Sequence, residues 1–386
     1  MGFWKFITHL LGRIVRFFAR VDEKKLYGLD HAILNMEVPP PSMWMNMGYW
    51  KHTDSFHEAC EALLDQVLIA ANILDEDQTA TGKCAAVIPA PIAADSTTHS
   101  QRQKQRQRHV KLIDVGIGCG DQTLYLTRKL SRPASAPAQE SGGHPDDKPL
   151  FDSYVGITIA ESQADYARER LLKTTSASDN SSAPGTVPDV KIFAADAADP
   201  LSWGSDLTQA VLDNSGSGPG EEKTELAQPR ATKVEEHQTW LLALDTLYHF
   251  KPSRKPLLKF ARQDMRASFM AFDLLMSDRA SLRDRLILRS MCLVTGIPYS
   301  NFMTRKEYED MLVEAGYERD MIDMRDISEH VFGGIARDIW KKDEVLKMYG
   351  VSMGMGQYRG AAKVFHWWAR SGVVRGFVVV ARLGDS

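Results

Sequence analysis

Leu112-Ile-Asp-Val-Gly-Ile-Gly-Cys-Gly-Asp-Gln122 sets Gly116, Gly118 and Gly120 just after a short apolar run and just before a stretch that can form a helix. Glycines at alternate positions let a backbone turn tightly and approach a ligand with no Cβ in the way. The spacing is GxGxG, not the GxGxxG of dinucleotide sites, and an acid, Asp114, stands two residues before the first glycine. That combination points to a nucleoside sulfonium in preference to a pyrophosphate. Farther along, Asp245, Tyr248 and His249 cluster after a second apolar run, and Asp273 ends a third. A histidine with an ordinary pKa near 6.5 can accept a hydroxyl proton, and a carboxylate beside it can orient the ring or share the proton. Tyr49 and Trp50 offer π faces that attract a cation. His249 could equally be a loop-closing residue, with alignment of the reactants contributing most of the rate.

Asp114-Val-Gly-Ile-Gly-Cys-Gly120 resembles the first motif of the class I S-adenosylmethionine-dependent methyltransferases. Val155-Gly-Ile-Thr-Ile-Ala-Glu-Ser-Gln163 is similar to the second-strand signature of their small-molecule branch, which contains sugar O-methyltransferases, sterol methyltransferases and cyclopropane synthases. The resemblance covers residues 42 to 383, insertions excluded. It implies a Rossmann-like α/β sheet with helices on both faces and S-adenosylmethionine as cofactor. Asp114 would hold the cofactor's amino-acid end, with Gly116, Gly118, Gly120 and Gln122 around it. Thr158 and Gln163 would take the ribose, where many relatives carry an acid. Phe193-Ala-Ala-Asp-Ala197 would put Asp196 and Ala197 at the adenine, although Asp196 could instead cap the turn before Asp199-Pro200. Leu242-Ala-Leu-Asp-Thr-Leu-Tyr-His-Phe250 resembles the fourth strand and its loop, with Asp245 toward the cofactor and His249 with Asp273 toward the acceptor. Met45-Asn-Met-Gly-Tyr-Trp50 resembles a segment that covers the cofactor in that branch, with Tyr49 and Trp50 in contact with it.

Elements alternate as such a site requires. Apolar runs at 110–115, 154–159, 190–194, 239–244 and 267–274 predict strands, and 122–130, 162–172 and 255–264 predict helices between them. Strand–helix alternation makes a mostly parallel sheet covered on both faces, with ligands at the carboxyl ends of its strands. A helix is predicted from 53 to 74, capped at Thr53 or Asp54, and another from a capping box at Thr304 and Glu307 to Gly316. Residues 377–381 predict a closing strand. The region 278–301 together with 331–368 falls where the resembling branch builds its acceptor pocket. Phe332, Trp340, Met348, Tyr349, Met353, Met355, Tyr358, Trp367 and Trp368 make it aromatic and Met-rich, a lining suited to an apolar or lipid-like small molecule unless they are ordinary core.

Composition sets outer limits. With 386 residues, 44% hydrophobic and 25% charged, the chain is no collagen, disordered polymer or multi-span membrane protein. It is expected to form one large domain, 42–386, interrupted by low-complexity insertions at 76–108, 131–149, 174–189 and 214–236. A net charge of −3, and a basic tract at 101–108 without interleaved aromatics, argue against nucleic acid as partner, so a nucleic-acid methyltransferase is the weaker alternative. Cys60, Cys84, Cys119 and Cys292 match no metal-ligand spacing and are expected to be free thiols of an intracellular protein. No metal site is expected. Residues 1–22 form a basic amphipathic pattern, with Phe3, Ile7, Leu10, Ile14 and Phe18 opposite Lys5, Arg13, Arg16 and Arg20. Such a helix lies in a lipid interface, acts as a mitochondrial presequence or lids its own domain. The corresponding rival function is a noncatalytic, membrane-associated protein that only binds the cofactor. Oligomeric state is not legible.

Overall fold

Strand and helix form where period-two and period-3.6 apolar patterns place them, and two cores result, one on each side of a sheet. A computed structural model describes residues 42–75, 108–132, 148–178, 188–213, 236–348 and 355–384. Residues 1–22 and most of the four expected insertions lie outside these. The strands are β1 (Arg108–Val115), β2 (Ser153–Thr158), β3 (Asp189–Ala194), β4 (Glu236–Leu244), β5 (Ala267–Met276), β6 (Ile322–Asp326) and β7 (Val374–Ala381). Their order across the sheet is β3-β2-β1-β4-β5-β7-β6. β3 to β5 run parallel, whereas β7 is antiparallel to both β5 and β6. The sheet is therefore mixed, and parallel over the five strands that carry the expected site.

The helices are α1 (Phe56–Ala70), α2 (Asp121–Leu124), α3 (Glu161–Ser178), α4 (Ser205–Leu212), α5 (Lys255–Gln263), α6 (Leu282–Thr295), α7 (Arg305–Ala315), α8 (Phe332–Met348) and α9 (Met355–Ser371). In β1 the side chains of Leu112 and Val110 enter the core shared with α1, α3, α6, α8 and α9. Ile113 and Val115 enter the core under α4, α5 and α7. This is the period-two alternation of a strand. All ten residues of β5 are buried, as expected of a strand covered on both faces. Full burial of each large apolar side chain contributes about 1.5–3 kcal/mol.

Several boundaries differ from the sequence pattern, each for a local reason. Thr53 does not cap α1. Its hydroxyl accepts from Ser55 N (3.0 Å) and donates to Glu58 (2.5 Å), a side-chain turn that leaves Ser55 at the helix start. The stretch after Gly120 is α-helical only to Leu124 and widens into a π turn over Tyr125–Lys129, with the Tyr125 hydroxyl donating to Asp65 at 2.8 Å. The ends of the expected insertions are ordered. Ser131–Arg132 pairs with Lys148–Pro149, α3 continues to Ser178, and Arg108 opposite Glu236 opens β1 and β4. The Thr304–Glu307 capping box and Gly316, at φ +110°, bound α7 as expected.

Candidate active site

The glycine turn closes the carboxyl end of β1. Gly116 has φ +82° and Gly118 φ +55°, both in the left-handed region. A Cβ on Gly116 would sit 2.5 Å from Thr246 Oγ1, and one on Gly118 would sit 2.7 Å from Met45 Sδ. Gly120 faces the other way, toward Ala167 of α3. Asp114 is wholly buried beneath this turn. Gln122 Nε2 donates to both its oxygens (2.7 and 2.8 Å) and the Tyr154 hydroxyl to one of them (2.6 Å). Burial pushes this carboxyl up to about 7, against the lowering effect of those two donors. The cavity wall at this point consists of Gly116, Ile117, Gly118, Asp121 and Gln122, so Asp114 stands one layer behind it, hydrogen-bonded to Gln122 in the wall. Asp121 is itself clamped by both Arg170 nitrogens (2.6 and 2.9 Å).

The next two strand ends bring the other expected cofactor residues to the same cavity. Thr158 donates to Gln163 Oε1 (2.7 Å), and Gln163 Nε2 reaches Met45 Sδ (3.5 Å). Asp196 is exposed, and its Oδ1 accepts from Ala198 N (2.8 Å) while Ala197 is buried behind it. Asp196 thus stabilises its own turn. The short helix at Pro200 begins at Asp199, which makes no side-chain cap.

At the end of β4, Asp245 adopts φ +58° and its Oδ2 accepts from Met47 N (2.8 Å). A non-glycine residue in this region is strained and persists only where its surroundings hold it, as the link to Met47 does here. Burial holds the Asp245 carboxyl well above the usual range. Tyr248 and His249 follow, rings 4.1 Å apart, and both line the cavity. Burial, then Lys251, lowers His249 to about 4, so the imidazole is neutral at pH 7.

Asp273 is not brought to His249. One of its oxygens takes Arg254 and the Tyr308 hydroxyl (2.9 Å), and the other takes Leu274 N (2.8 Å). The reason is strand alternation. Phe269, Ala271 and Leu275, at the same parity of β5, enter the core under α5 and α7, and Asp273 follows them away from the cavity. Arg254 also donates to Asn301 O (2.6 Å), and Asn301 Nδ2 donates to the carbonyls of Tyr248 (3.1 Å) and Phe250 (2.8 Å). Asp273 therefore fixes the His249 loop at a distance.

Tyr49 and Trp50 are likewise not part of the cavity wall. Tyr49 packs edge-on to His330, and Trp50 packs against Gly334 of α8 and donates to Met47 O (2.8 Å). Met43, Trp44, Met45, Asn46 and Met47 form the wall instead. The aromatic pair pins the segment from behind, and its preceding methionines face the ligand space.

That space is one cavity of about 960 Å³. It runs from the glycine turn past Asp245 and His249 into an apolar lobe formed by α6, α8 and α9, with Leu288, Cys292, Ile339, Tyr358, Phe365 and Trp368 on its walls. Of the aromatics expected there, Tyr358 and Trp368 line the lobe and Phe332 packs behind Trp368 (5.4 Å). Trp340 instead pairs with His366 (5.2 Å), and Met355 is core. Tyr349 and Met353 lie outside the described residues.

No family model matches the sequence, and neither does any curated protein. Solved structures do match over nearly the whole chain. The cyclopropane synthase MmaA2 from Mycobacterium tuberculosis superposes with a TM-score of 0.52 at 11% identity, covering 93% of this chain and 98% of that one. The mycolic acid cyclopropane synthase CmaA1, complexed with SAH and CTAB, gives 0.53 at 11% identity, over 95% and 98%. The chain has the Rossmann-like class I methyltransferase fold.

Within that methyltransferase fold, three groups of residues escaped the sequence reading. Met43 to Met47 line the cavity, whereas the resemblance put the contact at Tyr49 and Trp50, and methionine spacing does not say which side faces a cavity. Arg254, Asn301 and Tyr308 sit in ordinary helix or loop context and become linked only through tertiary contact. The Asp121–Arg170 clamp joins residues 49 apart in sequence. Among the described residues, no group of three or more His, Cys, Asp or Glu is placed to hold a metal, and no helix is long and apolar enough to cross a membrane.

Proposed function

We propose that the chain transfers a methyl group from S-adenosylmethionine to a small, apolar or lipid-like acceptor. The observation that carries this reading is the single cavity, which joins the glycine turn at the carboxyl edge of β1 to an apolar lobe between helices. Its volume lies at the upper end of ligand sites, room for a donor and an acceptor together.

The residues present fit the cofactor. Gly116 and Gly118 line the cavity with bare backbone, packed so closely on Thr246 and Met45 that a Cβ on either would clash. Gln122, held by Asp114, presents a fixed amide side chain to it, and Thr158, Gln163 and the Asp196–Ala197 turn stand at the neighbouring strand ends. The Met45 and Met47 thioethers offer polarizable walls to a sulfonium. When bound, the cofactor supplies an electrophilic methyl group. The chain's own part is to align the acceptor and keep water out, which Trp368, Tyr358 and the other apolar walls do. His249, neutral at pH 7 and on the cavity wall, is placed to take up a proton released by an acceptor oxygen, and O-methylation is the transfer we favour.

Titration calorimetry with S-adenosylmethionine, followed by incubation of the chain with methyl-labelled cofactor and a lipid extract, tests the reading. Saturable binding and label in an organic-soluble product are expected. A chain that binds the cofactor but labels nothing in any extract would favour the noncatalytic alternative.

A further inference from the structure

One helix has apolar residues on two opposite faces. In α6, Leu288 and Cys292 are buried and form part of the cavity wall together with Met291. On the other side, Leu282 (82% exposed), Leu286 (65%) and Leu293 (82%) fall at steps of four and seven residues, a single stripe on the outer surface. Ile287 is also exposed. Four of the ten exposed large hydrophobics among the described residues are thus on this one 14-residue helix. Isolated exposed leucines need no explanation, but a stripe of them does.

The charges around the stripe say what would cover it. Arg279, Arg283 and Arg289 are exposed beside it, Arg289 resting over the Tyr299 ring. The acids are fewer. Asp284 is engaged by the Ser281 hydroxyl (2.6 Å), which leaves Asp278 as the one exposed carboxylate among residues 278–295. Half-buried Arg285 donates to Ala280 O (3.2 Å). A second copy placed face to face would set arginine against arginine. The chain's own residues 1–22, equally basic by sequence, are disfavoured for the same reason. Leucines flanked by arginines match the boundary between acyl chains and anionic headgroups.

We propose that the outer face of α6 docks on an anionic lipid surface, with the apolar lobe of the cavity directly behind it. The docking rests on this face alone. Only the idea that the acceptor enters from that lipid rests on the proposed function.

A local probe tests it in the full chain. Cys60, Cys119 and Cys292 are buried, so with Cys84→Ser a thiol introduced by Leu286→Cys can carry an environment-sensitive fluorophore. Leu201→Cys, at a site 92% exposed on the turn after β3, serves as control. Vesicles of phosphatidylcholine with phosphatidylserine should shift the probe at 286 to the blue, and phosphatidylcholine alone or the probe at 201 should not. Arg279→Gln, Arg283→Gln and Arg289→Gln together should raise the vesicle concentration for half-maximal shift by about a hundred-fold. A probe at 286 that stays in water while the chain pellets with vesicles overturns the proposal. So does a shift without vesicles that grows with protein concentration, which would mean a second copy. Because the readout is binding, docking without methyl transfer would count against the proposed function and leave the docking intact.

Discussion

Arg254 and Asp273 form an ion pair in which both side chains are wholly buried, and that pair stands between β5 and the loop carrying His249. A buried pair adds little net stability, but removing one partner leaves an uncompensated charge. Asp273→Asn should therefore destabilise the fold by about 3–5 kcal/mol in denaturant titration. Its effect on turnover should come from a loosened His249 loop, with no new limb in the pH–rate profile. A profile that loses an ionisation in this variant would restore Asp273 as a proton carrier.

Asp114 reaches the cavity through Gln122. Asp114→Ala and Gln122→Ala should each weaken S-adenosylmethionine binding, and the double variant should lose much less than the sum, since the two act as one unit. Calorimetry on the four proteins measures the coupling. Additive losses would mean that Asp114 meets the cofactor independently.

The two cavity-facing glycines should differ in tolerance. Gly116→Ala meets Thr246, a branched side chain close to its own backbone, and should cost about 2–4 kcal/mol. Gly118→Ala meets the flexible end of Met45 and should cost about 1 kcal/mol, mostly from its backbone conformation. Thermal melts rank them, and the opposite order would argue against this geometry of the turn.

Burial and Lys251 lower the pKa of His249, which bears on stability and, if the residue takes up a proton in turnover, on rate. Between pH 6.5 and about 4 the unfolded chain holds a proton on this residue that the folded chain does not. Stability should thus fall with acidification across that window, by an amount on the order of 2–3 kcal/mol after allowance for its partial exposure. His249→Gln should flatten this slope. If the residue takes up a proton in turnover, the acid limb of kcat/KM lies near pH 4, and that limb disappears in the same variant.

The parallel half of the sheet was legible because its signals are local: an apolar run, a glycine turn, a capping box. β6 was not. Its sequence Ile322-Asp-Met-Arg-Asp326 buries only Met324 and stays a strand through pairing with β7. The cofactor side of the cavity followed from short motifs at strand ends, where chain order and spatial order coincide. Tyr49 and Trp50 were misplaced because a motif names residues without saying which way they point, and Gly334, 284 positions after Trp50, decides that. Asp273 was misplaced although strand parity already carried the answer: counting from Phe269 puts it on the face away from His249.

The position of β7 between β5 and β6 bears on synthesis as well as on the finished protein. While the ribosome has delivered only the first 373 residues, β6 has no neighbour to join and the long, greasy rim of β5 is bare. Unpaired rims of this kind recruit other chains, so a nascent polypeptide stalled there is a natural client for a chaperone. The last strand closes both gaps at once, and until it emerges the sheet cannot reach its full width.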